Sequence, residues 1–164
     1  MLIIRPLKSS DSELLRDATY YNLNWNGNRF SRKEIDENPH FAHYFNTWLE
    51  NSDFGFVAER HGKPFGVVWL KYFPSDNPGY GFIAENIPEL SICMLPNHRG
   101  LGIGTELIKT AINKAKSLSI PAISLSVEMG NSARNLYLRT GFKPVDDIPD
   151  NSTPVSYTHL TLPT

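Results

Sequence analysis

The stretch Arg99-Gly100-Leu101-Gly102-Ile103-Gly104-Thr105 is where residue types and spacing point most directly to chemistry. It lies between an apolar run at residues 90–95 and an amphipathic segment at 102–118. A strand feeding a helix gathers unpaired backbone N–H groups at the positive helix end, a place that suits phosphate. Glycines let a diphosphate approach the main chain closely and accept positive φ at little cost. The same glycines also suit a plain strand-to-helix turn, so by themselves they leave both readings open. A P-loop needs Gly-Lys before Ser or Thr, whereas Gly104 is followed directly by Thr105, which argues against ATP hydrolysis. A dinucleotide fingerprint needs its third glycine one position later, after the first strand of a parallel unit. Cys93 has no histidine placed beside it in a recognisable pattern and reads as a small core residue rather than a nucleophile. His98 reads as a solvated loop residue, and no Cys/His cluster has metal-ligand spacing.

These residues are positioned by what reads as one ordinary domain. At 164 residues, 40% hydrophobic and 20% charged, the chain is long and apolar enough to bury a core without metal or disulfide support. A net charge of -1 gives no global attraction to nucleic acid or anionic membrane. The lone Cys93 fits a reducing cytoplasm, and no apolar run reaches the length of a membrane span. Residues 2–7 read as a strand, and Ser10 with Glu13 as a capping box that starts a helix. Ser31 with Glu34 opens a short helix that Pro39 interrupts; Phe41, Tyr44, Phe45, Trp48 and Leu49 then repeat at helical spacing. Residues 54–60 and 65–73 read as strands of a hairpin, joined through His61, Gly62, Lys63 and Pro64. A loop at 74–86 leads to the strand at 90–95, and the helix at 102–118 is followed by a strand at 122–127. A short helix starts at Asn131, stops at Gly141, and is followed by a possible strand at 142–145.

Arg-x-x-Gly-x-Gly after the strand, with Asn131, Ala133, Leu136, Tyr137, Gly141 and Phe142 downstream, resembles the GNAT superfamily of acyl-CoA N-acyltransferases. The resemblance covers residues 2–145. It implies a single α/β (α+β) domain, a mixed, mostly antiparallel sheet flanked by helices, with two parallel strands, 90–95 and 122–127, splayed around the acyl donor. It implies acetyl-CoA as that donor, its pyrophosphate on the backbone of Gly100, Leu101, Gly102, Ile103, Gly104 and Thr105 beside Arg99. The pantetheine arm is then expected to pair with Ile92, Cys93 and Met94 like an added strand, and Asn131 to reach it, although a helix cap explains an asparagine there as well. By the same resemblance Tyr137 is the proton donor to the leaving sulfur, and Glu89 the carboxylate that takes the amine proton. The bland reading of Tyr137 is a core tyrosine, and of Glu89 a solvated strand entry. Glu128 is the competing base, since Ser126 stands where some relatives carry a glutamate.

The acceptor is expected to be a primary amine of a small molecule or peptide, taken up by a monomer or homodimer. Tyr20, Tyr21, Trp25, Phe30, Tyr72, Phe73, Tyr80 and Phe82 are candidates for pocket walls or for ordinary packing, with Asp76, Glu85 and Glu89 available to a cation. Two rival readings are a non-catalytic acyl-CoA-binding module and a nucleotide-binding α/β domain. The native domain is expected over residues 1–154. Residues 155–164, VSYTHLTLPT, match the translation of a transposon-end sequencing adapter over ten positions and are expected to be non-native, against the alternative of a genuine closing strand.

Overall fold

The apolar, β-prone runs form one seven-stranded sheet in a computed structural model that describes residues 1–50, 52–96, 98, 102–145 and 157–164. Four antiparallel neighbours come first: β1 (Leu2–Pro6), β2 (Phe54–Arg60), β3 (Lys63–Lys71) and β4 (Glu89–Met94). β5 (Ala122–Glu128) runs parallel to β4. β6 (Lys143–Pro144) and β7 (Tyr157–Pro163) complete the order β1-β2-β3-β4-β5-β7-β6. Arg60 pairs with Lys63, so the hairpin turn is only His61-Gly62, both at positive φ (50° and 75°), as a tight two-residue hairpin turn requires.

Alternate residues of each strand serve opposite layers. Val68 and Leu70 of β3 join Ile123 and Leu125 against Leu107, Ile108 and Ala111 of α4 (Ile103–Ser117). Val67 and Trp69 face the other way, against Leu15 and Ala18 of α1 (Ser12–Leu23) and Phe41 of α3 (Pro39–Ala42). Each such leucine or isoleucine contributes about 1.5–3 kcal/mol by leaving water. α2 (Arg32–Glu37) begins with the expected box: Ser31 Oγ accepts the Glu34 N–H at 3.1 Å and Glu34 accepts the Ser31 N–H at 3.2 Å. α5 (Ala133–Arg139) precedes β6.

Three local expectations are corrected. Ser10 and Glu13 do not cap α1; Asp11 takes the Lys8 N–H at 2.7 Å, and the Arg5 guanidinium holds the same carboxylate at 2.9 and 3.1 Å. The aromatic stripe from Phe41 is helical for barely one turn, because the Tyr44 carbonyl is taken by Trp69 Nε1 (3.0 Å) and the Thr47 carbonyl by Lys71 Nζ (2.9 Å). Leu49 consequently ends 42% exposed at φ 68°. The strand at 142–145 shrinks to Lys143–Pro144: Phe142 goes into the core, and Pro144 has no N–H for a ladder. Within the tail, Tyr157–Pro163 pairs with all seven residues of β5, from Ala122↔Pro163 to Glu128↔Tyr157, and Leu160 is fully buried.

Candidate active site

β4 and β5 are joined by a single register pair, Glu89↔Ser124, with the Ser124 N–H donating to the Pro88 carbonyl at 3.0 Å. Beyond that pair the two strands splay. β4 stays zipped to β3 from Lys71↔Glu89 to Gly66↔Met94, so among the described residues its other backbone edge, past Glu89, has no strand to pair with. A cavity of about 330 Å³ opens there. It brings together Ile92, Cys93 and Met94 of β4, Gly102, Gly104 and Thr105 at the start of α4, and Asn131 before α5.

Gly102 caps α4 at φ 75°, and a Cβ there would meet open space, so the main chain stands bare at the positive helix end. Gly104 lines the same cavity, and a Cβ there would lie in ordinary contact with Leu136, at 3.4 Å. The Ile103 side chain is in the core. Asn131 Oδ1 accepts the Ala133 N–H at 2.9 Å, so it caps α5 while lining the cavity. Arg99, Gly100 and Leu101 lie outside the described residues. Tyr21 and Trp25, two of the aromatic candidates, also line this cavity, as do Asn22 and Arg139, which nothing local in the sequence marks because α1 and α5 reach the site only through the fold. A bare helix start, an unpaired strand edge and an arginine fit a phosphorylated ligand with an amide-bearing arm.

A second, smaller cavity of about 110 Å³ lies on the α1 side of the splay, walled by Phe41, Tyr44, Trp69 and Tyr80, with Ser91 and Ser126 on its strands. Glu89 is part of its lining and is only 3% exposed. Burial pushes its carboxyl up to about 7, against the opposing pull of hydrogen bonds from the Tyr44 hydroxyl and the Gly81 N–H. The loop carrying Gly81 fits only because glycine lacks a side chain: a Cβ at Gly81 would lie 2.6 Å from the Leu125 carbonyl carbon and 2.8 Å from Glu89 Oε1.

Tyr137, from α5, lines both cavities. Its ring meets Phe142 edge-on at 6.0 Å, and burial, with Cys93 nearby, raises its phenol well above the usual range, so it stays protonated near neutrality. Glu128 is held by Arg29 twice, at 2.6 and 2.7 Å, and by Trp25 Nε1, which donates at 2.8 Å, and it is not among the described residues lining either cavity. Of the aromatic candidates Tyr80 alone lines the smaller cavity, while Tyr21 and Trp25 belong to the larger one. Asp76 and Glu85 are exposed, so Glu89 is the acid of that set that reaches the pocket. His98 Nδ1 is 2.9 Å from the Pro96 carbonyl, with its ring over Phe65. Among the described residues there is no cluster suited to a metal ion and no helix long and apolar enough to cross a membrane.

Residues 18–142 match the acetyltransferase (GNAT) family. An uncharacterized N-acetyltransferase of Methanocaldococcus jannaschii is 36% identical over 106 residues, which are 63% of this chain but only 46% of that protein. An N-alpha-acetyltransferase of Sulfurisphaera tokodaii is 29% identical over 126 residues, 71% of this chain and 72% of that one. Among solved structures, a ribosomal-protein-alanine N-acetyltransferase from Brucella melitensis superposes with a TM-score of 0.70 at 23% identity, covering 99% of both chains. A phosphinothricin acetyltransferase from Sinorhizobium meliloti, solved with acetyl-CoA, gives 0.69 at 19% identity over 99% of this chain and 88% of that one. With the family pattern running from α1 through the splayed strands to Phe142, this chain belongs to the GNAT acetyltransferase family.

Proposed function

We propose that this chain is an N-acetyltransferase that moves an acetyl group from acetyl-CoA to a primary amine directly, with both substrates bound at once. One observation carries the reading: Tyr137 stands on the wall shared by the cleft at the splayed strands and the small pocket that holds Glu89. The cleft suits the donor, with the bare backbone at Gly102 and the start of α4 facing the diphosphate. The pocket suits the amine, and its only ionisable carboxyl among the described lining residues is Glu89.

As the amine nitrogen bonds to the acetyl carbonyl carbon, its acidity rises and Glu89 takes one proton from it. The carbon–sulfur bond then breaks, and the sulfur takes the Tyr137 proton, which water restores. The products are the amide and free CoA thiol. A Glu89 carboxyl titrating near 7 is half-ionised at neutral pH, the condition under which a base both accepts and releases protons readily.

Acetyl-CoA at a hundredfold excess over its Kd is expected to stabilise the fold by about 2.7 kcal/mol, and ATP or NAD not to compete. A melting temperature indifferent to CoA overturns the reading. Stabilisation without turnover on any member of an amine library leaves a binding module in place of an enzyme.

A further inference from the structure

Glu89 owes its orientation to a residue from a different layer of the protein. Tyr44 follows α3 in the turn closed by its own N–H to the Phe41 carbonyl (3.3 Å), and its carbonyl is pinned by Trp69 Nε1. Its ring is hemmed in by His43 at 4.8 Å, Phe73 at 5.1 Å and Tyr80 at 6.4 Å, the last nearly parallel at 14°. The hydroxyl oxygen accepts the Tyr80 N–H at 2.7 Å, which leaves its one proton to donate to the Glu89 carboxylate. The loop allows no slack around this bond. A Cβ at Gly79 would lie 2.8 Å from both Glu89 Oε1 and the Tyr44 hydroxyl.

We infer that Tyr44 is the positioning residue of the base: it holds the Glu89 carboxylate in one orientation at the acceptor pocket and stabilises it in the ionised form. This rests on the reading of Glu89 as the proton acceptor. The other groups around the carboxylate do not take over the task. Lys71, its register partner on β3, is turned to Asp53 at 2.9 Å and to the Thr47 carbonyl. His43 is held neutral by burial, which lowers it to about 4. From α1 the pocket receives Thr19 and Asn22, from β5 Ser126 and from α5 the protonated Tyr137, none of them charged. Burial alone drives a carboxyl towards its neutral form, and a neutral carboxylic acid is a poor proton acceptor. Tyr44 and the Gly81 N–H oppose that drive.

The experiment is a direct titration of the Glu89 side-chain carboxyl by 13C NMR in the full chain, its signal identified by loss in Glu89→Gln, alongside the pH profile of acetylation. Tyr44→Phe removes one oxygen and keeps the ring. It is expected to raise the Glu89 midpoint by about one to two pH units, the worth of a hydrogen bond to a charged group, and to move the acid limb of the rate by the same amount with little change in KM. 3-Fluorotyrosine at position 44, a stronger donor of nearly the same shape, is expected to move the midpoint the other way, and it serves if Tyr44→Phe fails to fold. An unmoved Glu89 midpoint in these variants overturns the inference whatever happens to activity. A midpoint that moves while the rate profile stays put leaves the carboxylate's dependence on Tyr44 intact and overturns Glu89 as the base.

Discussion

Replacing Glu89 by Gln removes a titrating carboxyl while keeping nearly the same volume, so it reads the base without emptying the pocket. The size of the effect follows from burial. An ordinary carboxyl near 4.5 is about nine-tenths ionised at pH 5.5, but one raised to about 7 is ionised to only about 3% there. The acceptor amine must also lose its proton, so log kcat/KM for the wild type should rise with a slope of about two below pH 7 and about one above it, until the amine itself titrates. Between pH 6 and pH 8 that amounts to about a thousandfold. The Glu89→Gln enzyme keeps only the amine's contribution, about a hundredfold over the same span, so the deficit relative to wild type should itself change about tenfold. At pH 8 the loss should be about 10²-fold, at the low end for a general base, against about tenfold at pH 6, and it should stay level above pH 8, where both enzymes follow the free amine alone. Initial rates of CoA thiol release at fixed acetyl-CoA give the profile. A break near pH 7 that survives in Glu89→Gln, or a wild-type break near 4.5, refutes the assignment.

Tyr137→Phe should lower turnover by roughly tenfold to a thousandfold with acetyl-CoA affinity unchanged by calorimetry, since the phenol is needed only as the sulfur departs. Gly102→Val places a β-branched residue at φ 75°, should cost about 1–3 kcal/mol of stability, and should abolish the thermal shift given by acetyl-CoA. Lys71→Met strands Asp53, whose carboxyl burial already raises, and should cost about 3–5 kcal/mol in urea unfolding, much of it recovered in the double variant with Asp53→Leu. Sequencing the source locus across the junction at Pro154 should show different codons in place of those for VSYTHLTLPT, and an uninterrupted gene encoding them refutes the adapter origin.

The strands and long helices were legible because their cause is local. Leu107, Ile108, Ala111 and Ala115 recur at helical spacing and all face one layer, and the hairpin was expected where it forms, although its turn is His61-Gly62 rather than the four residues 61–64. Where local signals failed, a distant partner had won. Ser10 is a good capping residue, yet Arg5 fixes Asp11 instead, and the aromatic run after Phe41 loses its carbonyls to Trp69 and Lys71 on β3.

The candidate site divides along the same line. The larger cavity draws on residues close in sequence, so Ile92, Gly102 and Thr105 stand within one short stretch. The smaller cavity is assembled from Phe41, Tyr44, Trp69, Tyr80 and Ser126, which share no period and meet only when the sheet forms. Glu89 and Glu128 show why residue type is insufficient there. Both are glutamates at strand ends beside the splay, and sequence leaves them as rivals. Arg29, 99 positions from Glu128, neutralises one, while Gly79 and Gly81 press a loop onto the other with room for nothing larger than hydrogen at either position. One carboxylate is taken up in an ion pair, while the other is buried and held by two hydrogen-bond donors. The distinction between the two glutamates is therefore a property of what the loop at 72–88 and the turn at 24–30 bring to them, and the glycines of that loop shape the smaller pocket as much as the aromatic rings that wall it.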